Sequence, residues 1–324
     1  MIDRLQLYTS DGLDPYRNLA IEQHLLETVE GGCCLLYLWQ NANTVVIGRN
    51  QNAWAECRTT LLKDEGGHLA RRLSGGGAVW HDTGNLNFTF LMRSEHYDLD
   101  RQLSVLQTAC RLVGIETERS GRNDLLVNGR KFSGNAFYHH EGRSYHHGTL
   151  LVDVDTDRMS RYLSPSKAKL TAKGVESVRA RVINLREQNP ALTVEALKGA
   201  MTDAFRAVFG LPVTARGPVD ETRVNELRAR YASEQWLYGQ KLPFTFRCER
   251  RFPWGGIELQ LSVDRGAVTD ARVYTDDMDH ETAQAFEAAA VGCPFSLDAL
   301  RARIEAQHVP HARDLIQMLT EQEI

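Results

Sequence analysis

Two arginines followed by three consecutive glycines form the stretch of this sequence that most directly suggests chemistry. It reads RRLSGGGAVWHDTGN over residues 71–85. Glycine lets the backbone approach a ligand closely and turn its N–H groups toward an anion, while a guanidinium fork matches phosphate oxygens. The stretch contains neither GxxxxGK nor GxGxxG, so it is neither a P-loop nor a dinucleotide fingerprint. It predicts binding of an anion or nucleotide, and a plain glycine-rich turn is the alternative.

Lys131 is the second residue with chemical potential. Only seven of the 38 basic residues are lysines, and this one follows Asn128-Gly129, the preferred two-residue hairpin turn. A lysine held on a strand next to the small residues 133–136 (SGNA) can act as a point charge against a phosphate or carboxylate. The alternative is an edge-strand lysine that serves solubility.

Two histidine doublets, at residues 139–140 and 146–147, raise the question of a metal site. Adjacent strand residues point to opposite faces, so neither doublet can supply two ligands to one ion. No cysteine or carboxylate completes a set. We therefore predict no protein-ligated metal, and place His147 on a strand packed against the site.

The composition limits the function class. The chain has 324 residues, 42% of them hydrophobic, and a net charge of -4, which argues against a protein that neutralises a nucleic-acid backbone. The longest apolar run covers residues 33–39, far short of about 20 for a membrane span, and no signal-peptide pattern begins the sequence. Six scattered cysteines without a CxxC pair predict reduced, buried thiols. A cytoplasmic protein is expected.

The elements that position these residues follow from periodicity and turn signals. Strands are predicted at 4–8, 35–39, 44–47, 68–73 and 78–92, hairpins around 128–129 and 141–142, and helices from Asp14-Pro15 to 29, at 100–113, 157–163 and 193–209. Beyond these lie a hairpin of 257–263 with 268–275 and helices at 280–291, 296–306 and 311–322. The predicted fold is α/β (α+β), with a large mixed, largely antiparallel sheet and flanking helices in residues 1–246. Residues 247–324 are predicted to form a small α+β domain.

Charge marks two further regions. Residues 250–324 contain seven arginines and thirteen acidic residues, which supports the boundary. Residues 158–186 contain eight basic residues and one acidic residue, Glu176. Such a run is typical of a solvated face, and the functional alternative is a surface for phosphates or an acidic partner.

At this point the motifs together resemble those of the lipoate–protein ligase A family, within the biotin/lipoate protein ligase superfamily. The resemblance is carried by residues 71–85, SGRNDLL (120–126), RKFSGNA (130–136), HHGTLL (146–151) and KGVESVRARVINL (173–185), and it extends to 39–49, 254–259 and 273–276. It implies a two-step reaction. ATP and lipoate give lipoyl-AMP and pyrophosphate, and the acyl group then passes to a lysine of a lipoyl domain, as in 2-oxoacid dehydrogenase E2 subunits and the glycine cleavage H protein.

The resemblance also implies roles for individual residues. Lys131 would be catalytic, contacting both the lipoate carboxyl and phosphate oxygens. The other residues implied to bind ATP or the adenylate are Arg72, Ser74, Gly75, Gly76, Gly77, Ala78, Val79, Trp80 and Asp124. Asp124 would neighbour either the acceptor amine or a phosphate-bound Mg²⁺. Those implied to bind lipoate are Arg72, Gly76, Lys131 and His147, with Trp39 and Val46 as walls. Arg49, His81, Asn85, Ser133 and Gly134 are assigned to the same site, and residues 169–181 to a mobile loop that closes over the adenylate.

Three alternatives remain at this point. An octanoyltransferase of the superfamily would need a nucleophilic cysteine near Lys131, yet no cysteine lies between residues 131 and 181. A biotin ligase would carry a different Gly-Arg-rich loop, and a non-catalytic relative would lack the lysine. Preference for lipoate or octanoate stays open, and a monomer is expected because no coiled-coil heptad is present.

Overall fold

The computed structural model describes residues 1–121, 124–164, 182–239 and 243–322. Two features of the sequence therefore lie outside the described residues. One is the pair Arg122 and Asn123 of the SGRNDLL motif. The other is the predicted closing loop, 169–181, with most of the basic run.

Helices and runs of consecutive strands are interspersed along the first three quarters of the chain. The strands are β1 (Arg4–Thr9), β2 (Cys33–Trp39), β3 (Thr44–Ile47), β4 (His68–Arg71), β5 (Val79–His81), β6 (Asn85–Arg93), β7 (Glu118–Ser120), β8 (Asp124–Val127), β9 (Arg130–His140), β10 (Arg143–Leu151), β11 (Val213–Ala215), β12 (Phe246–Arg251), β13 (Gly256–Asp264) and β14 (Ala267–Thr275). The helices are α1 (Pro15–Thr28), α2 (Ala53–Glu56), α3 (Thr59–Asp64), α4 (Leu99–Leu112), α5 (Thr156–Tyr162), α6 (Val194–Phe209), α7 (Glu221–Ala232), α8 (Glu234–Tyr238), α9 (Glu281–Ala290), α10 (Leu297–Ala306) and α11 (Ala312–Thr320).

The main sheet has eight strands in the order β11-β1-β2-β6-β10-β9-β8-β7. Strand β1 runs parallel to β2 and β11, and the remaining pairs are antiparallel. A three-stranded sheet, β4-β3-β5, lies beside it, and the C-terminal sheet is β12-β13-β14. This architecture confirms the predicted fold class.

Local signals account for most element boundaries. The Asp14 side chain accepts hydrogen bonds from the backbone N–H groups of Tyr16 and Arg17, and Pro15 begins α1. Asn128 and Gly129 both adopt positive φ, 51° and 73°, as a two-residue hairpin turn requires. Both predicted hairpins, β8–β9 and β9–β10, are confirmed.

Strand β6 shows why the main sheet can hold a site. Its apolar side carries Phe88 and Phe90 into a core with α4 and α6, where the rings of Phe90 and Phe205 lie 5.8 Å apart. Its opposite side carries Asn87 and Thr89, and both are also buried. Helix α1 covers that side of the sheet, and α7 packs on α1. The polar face of β6 therefore faces the protein interior, not solvent.

The C-terminal part has its own core, in which one face of the β12-β13-β14 sheet packs against α9, α10 and α11. Strand β12 begins at Phe246, next to the predicted boundary, and pairs with β13. We keep the division into residues 1–246 and 247–324 as a proposal.

The sequence reasoning passed over several elements, among them β7, β11, α7 and α8. Helix α7 is mostly polar and buries only Val224, Leu227 and Tyr231, so its helical periodicity is weak. The predicted strand of 78–92 is divided, because Gly84 donates its N–H to the Asp82 carboxylate in a turn between β5 and β6. Among the described residues, no helix is long and apolar enough to cross a bilayer.

Truncating Phe205 tests the α6 core. Phe205 is fully buried, so Phe205→Ala is expected to lower the free energy of unfolding by about 3–5 kcal/mol. Urea denaturation measures this loss. The matched control is Phe244→Ala, because Phe244 is 44% exposed and its change should cost much less. Equal losses in the two variants would contradict the assigned packing.

Candidate active site

A cavity of about 170 Å³ lies between the main sheet and the small β4-β3-β5 sheet. Many of the residues singled out from the sequence meet there. Those lining it are Trp39, Val46, Arg72, Gly76, Gly77, Ala78, Val79, His81, Lys131, Gly134 and His147. Residues that line it without having been predicted are Leu19, Asn87, Asn135, Ala136, Gly148, Thr149 and Met278.

The glycine loop, residues 75–77, is shaped by close backbone contacts. A Cβ atom on Gly75 would lie 2.2 Å from the carbonyl oxygen of Asp277, and one on Gly48 would lie 2.2 Å from that of Gly76. Gly76 also adopts a φ of 84°. The glycines are therefore required by the protein's own packing, besides any approach to a ligand.

The buried Arg72 guanidinium holds this loop from inside. It donates to the carbonyl oxygens of Gly75 (2.7 Å from Nη2), Gly77 (2.8 Å) and Val46 (3.2 Å), and to Ser74 Oγ (3.1 Å). Burial lowers the pKa of Arg72 to about 10. Most of its donors are directed to the loop, so the first contribution of Arg72 is to set where the glycine N–H groups point.

A chain of buried hydrogen bonds continues from Arg72 across the cavity floor. Ser74 Oγ lies 2.8 Å from His147 Nε2, and His147 Nδ1 lies 2.8 Å from Glu22 Oε1. Thr89 donates to the same Glu22 oxygen at 2.7 Å. A negative carboxylate thus sits inside the protein, two hydrogen-bonded residues away from the positive Arg72, which eases the cost of burying each charge.

Glu22 is the member of this hydrogen-bonded series that the sequence did not lead us to predict. It lies on α1 between Leu19 and Leu26, at the i+3 and i+4 spacing that places side chains on one buried helix face. An acidic residue on an otherwise apolar helix stripe was the signal that could have found it.

Lys131 lies at the polar end of the cavity. Its Nζ is 2.7 Å from Asp124 Oδ1, and a Cβ atom on Gly134 would lie 2.9 Å from Nζ. The pairing of β8 with β9 shifts register at Leu125/Leu126, and such an irregularity re-aims neighbouring side chains. The strand, the glycine and Asp124 together hold the ammonium group in place.

The predicted separation of the histidine doublet is confirmed. His147 faces the cavity, whereas His146 is fully buried on the other side of β10, with Gln102 Oε1 at 2.9 Å and Asn135 Oδ1 at 2.8 Å. Burial lowers the pKa of His146 to about 3. Within the described residues, no group of three or more His, Cys, Asp or Glu could hold a metal ion.

The structure does not bring every predicted residue to the cavity surface. The side chain of Trp80 is buried against Tyr162, with ring centroids 5.0 Å apart, because β5 turns it toward α5. The Asn85 side chain donates a hydrogen bond to Asn87 Oδ1. Asp124 does not line the cavity but forms an ion pair with Lys131, which does. Arg49 extends over the ring of Trp236, 5.7 Å away. Gly75, Ser74 and Ser133 are buried beneath the lining.

The C-terminal part contributes one wall, which the sequence did not indicate. Gly76 donates its N–H to the carbonyl oxygen of Asp277 at 3.1 Å, and the next residue, Met278, lines the cavity. Thr275 donates its N–H to the carbonyl oxygen of Asn50, and Asn50 Nδ2 donates to that of His280. The segment 275–280 therefore docks directly on the glycine loop.

Replacing Gly75 tests this docking. In Gly75→Ala the new methyl group meets the Asp277 carbonyl, so the free energy of unfolding should fall by about 1–3 kcal/mol. The control is Gly199→Ala in α6, where a Cβ atom meets nothing within 4 Å and alanine favours the helix. Chemical denaturation of both variants measures the difference. An unchanged Gly75→Ala protein would show that the contact is not formed.

Comparison with known proteins agrees with this geometry. Residues 14–206 match the family model of the lipoyl protein ligase A/B catalytic domain, and residues 241–322 match that of the bacterial lipoate protein ligase C-terminus. The crystal structure of P. falciparum LipL1 in complex with lipoate is 27% identical, with a TM-score of 0.83 over 98% of both chains.

Two further structures match the larger part of the chain. A lipoate-protein ligase A bound with ATP is 25% identical, with a TM-score of 0.63, over 74% of this chain and 99% of that one. A bipartite lipoate protein ligase from Thermoplasma acidophilum, described with its E2 lipoyl domain, is 25% identical with the same TM-score, over 76% of this chain and 100% of that one. The chain therefore belongs to the lipoate–protein ligase family, with the catalytic domain of lipoyl protein ligase A/B and the C-terminal domain of the bacterial enzymes.

Proposed function

We propose that this ligase activates lipoate with ATP and transfers the lipoyl group to a lysine of lipoyl domains. The observation that carries the proposal is the position of Lys131, whose ammonium group lies at the polar end of a cavity with apolar walls, opposite the glycine loop. The lipoate bound to LipL1 and the ATP bound to the lipoate-protein ligase A structure support both substrates.

The cavity suits an acid with an apolar tail. Leu19, Trp39, Val46 and Val79 offer apolar surface for a hydrocarbon chain or a dithiolane ring, and burying that surface contributes about 25 cal/mol per Å². Lys131 at the other end can neutralise the carboxylate. Octanoate has the same polarity pattern, so it is a second acid to test.

The first step needs charge stabilisation at the α-phosphate. A lipoate carboxylate oxygen attacks the α-phosphorus, a C(O)O–P bond forms, and the bond between the α-phosphorus and the α–β bridging oxygen breaks as pyrophosphate leaves. Lys131 and the N–H groups of the glycine loop face the developing negative charge, which fixed donors in a partly dry site stabilise strongly. Gly76 must release the Asp277 carbonyl before its N–H can take part.

In the second step the neutral amine of the acceptor lysine attacks the acyl carbon. A C–N bond forms, the bond from the acyl carbon to the phosphate oxygen breaks, AMP leaves, and the amine gives up a proton. Lys131 favours AMP departure by stabilising the phosphate charge, and we propose Asp124, which is ion-paired with Lys131, as the group that accepts the proton. The carboxylate of Asp124 is also a hard oxygen ligand suited to a phosphate-bound Mg²⁺, which when present neutralises phosphate charge.

The thioester route of octanoyltransferases fits this chain poorly. All six cysteines are buried, and no cysteine lines the cavity. Burial raises the pKa of Cys57 and Cys110 to about 12 and that of Cys248 to about 11. A thiol held in its neutral form is a weak nucleophile.

The proposed acceptors are the lipoyl domains of 2-oxoacid dehydrogenase E2 subunits and the glycine cleavage H protein. The archaeal ligase that was described with its E2 lipoyl domain supports this class of partner. A monomeric state and a cytoplasmic location remain predictions.

Lipoate-dependent exchange of labelled pyrophosphate into ATP tests the activation step. Lys131→Ala is expected to lower exchange by about 10²–10³-fold, because the main cation at the reacting phosphate is removed. The matched control is Lys63→Ala, since Lys63 is exposed on α3, and it should exchange at the wild-type rate. Circular dichroism verifies folding. Wild-type exchange by a folded Lys131→Ala protein would refute the role of this lysine.

Alkylation tests the thioester alternative. Native protein treated with iodoacetamide should keep lipoate transfer to a lipoyl domain, because its thiols are buried and inaccessible to the reagent. Mass spectrometry counts the thiols that react before and after denaturation. Loss of transfer that follows alkylation of one thiol in the folded protein would revive a cysteine nucleophile.

A further inference from the structure

A second cavity, of about 200 Å³, lies where the catalytic and C-terminal parts meet. We call it the seam cavity. Its lining includes Arg49, Arg71, Trp236, Arg272, Tyr274 and Glu287. The first three belong to the catalytic part and the others to β14 and α9, so the cavity exists only when the two parts are docked.

The charges around the seam cavity do not balance. Among the described residues, three guanidinium groups line it, against one carboxylate, Glu287. The Oε1 atom of Glu287 accepts the N–H of Val273 at 2.8 Å and lies 3.7 Å from Arg272 Nη1. Burial raises the pKa of Glu287, which weakens it further as a counter-charge. Positive charge gathered in a partly buried site without a matching anion is costly.

Arg71 contributes positive charge to the seam cavity, but most of its N–H donors already bind backbone carbonyl oxygens. Its guanidinium donates to the carbonyl oxygens of Gly48, Arg49 and Gln51 on one side and of Trp236 and Leu237 on the other. Burial lowers the pKa of Arg71 to about 10, and the nearby positive charges of Arg272 and Arg49 act in the same direction. The three arginines therefore repel one another within a common space.

Arg272 and Arg49 retain donors for a ligand. The Nη1 atom of Arg272 is 3.7 Å from Glu287 Oε1, beyond hydrogen-bond range, and the Nε atom has no hydrogen-bond partner among the described residues. The Arg49 guanidinium lies over Trp236, and no carboxylate of the described part of the chain forms an ion pair with it. Two guanidinium groups with unused N–H donors, one from each part of the protein, match the oxygens of a multiply charged oxyanion.

We infer that the seam cavity binds a small phosphate-class anion, and inorganic pyrophosphate is the representative ligand of this class. The anion bridges Arg49 of the catalytic part and Arg272 of the C-terminal part, and so favours the docked arrangement in which Met278 closes the first cavity. The site goes beyond the proposed function: it needs neither lipoate nor Lys131. Its residues are distinct from those of the lipoate cavity.

Calorimetric titration of the full chain with sodium pyrophosphate, without lipoate, tests the inference. One binding event is expected in the wild type and in Lys131→Ala. Arg272→Gln should bind at least tenfold more weakly, and Arg272→Lys should lie between them because it keeps the charge without the fork. The matched control is Arg313→Gln, since Arg313 is exposed on α11 and its change should leave binding unaltered. Pyrophosphate should also raise the melting temperature of the wild type, and raise that of Arg272→Gln less.

Three results would overturn the inference: no binding by the wild type up to millimolar pyrophosphate, equal binding by a folded Arg272→Gln, or binding that is lost in Lys131→Ala and kept in Arg272→Gln. The last result would place the anion in the first cavity, which contains Lys131.

Circular dichroism of each variant separates lost binding from lost folding. Competition by ATP for the Arg272-dependent event would identify the phosphate tail of the nucleotide as the source, and its absence would identify free pyrophosphate. Failure of lipoate-dependent exchange leaves this titration unaffected, so the two proposals fail separately.

Discussion

The buried guanidinium of Arg72 is the interaction on which the rest of the site depends. A charge in a low-dielectric interior is tolerated only where dipoles or an opposite charge replace water. Here the carbonyl oxygens of Gly75, Gly77 and Val46 supply the dipoles. The Glu22 carboxylate supplies the opposite charge through Ser74 and His147. If the glycine loop changed shape, the Arg72 guanidinium would lose hydrogen bonds to the loop carbonyl oxygens. Arg72 and the loop therefore stabilise each other.

This constraint explains the layout of both faces of the loop. On one face, the loop forms the rim of the cavity that contains Lys131. On the other, it accepts the segment 275–280 at a separation that only glycine permits at position 75. A loop that served only as an anion cradle would need N–H groups free on one side. In this protein the Gly76 N–H is bonded to Asp277, which couples substrate chemistry at the loop to the docking of the C-terminal part.

Burial on both sides of the main sheet gives the chemistry its environment. The α4 and α6 layer covers the apolar face of β6, and α1 covers the polar face, so Asn87, Thr89 and His147 lie in a largely dry interior. Electrostatic interactions are stronger there than at the surface. Three of the six cysteines, Cys33, Cys34 and Cys110, lie in the same layers, where burial raises the pKa of their thiols. These layers therefore disfavour thiolate chemistry.

The sequence by itself determined the elements and the order of the motifs. Apolar periodicity, the Asp14-Pro15 start of α1 and the Asn128-Gly129 turn are local signals, since each depends on residues a few positions apart. Only the tertiary structure decided which side chains share a cavity. Glu22 forms a hydrogen bond with His147, which lies 125 residues further along the sequence. Met278, from the C-terminal part, lines the cavity beside the glycine loop. Arg49 lines the seam cavity, although the sequence assigned it to the same site as Lys131. Such contacts arise when layers pack, and side-chain spacing along one strand or helix carries no information about the element that will cover it.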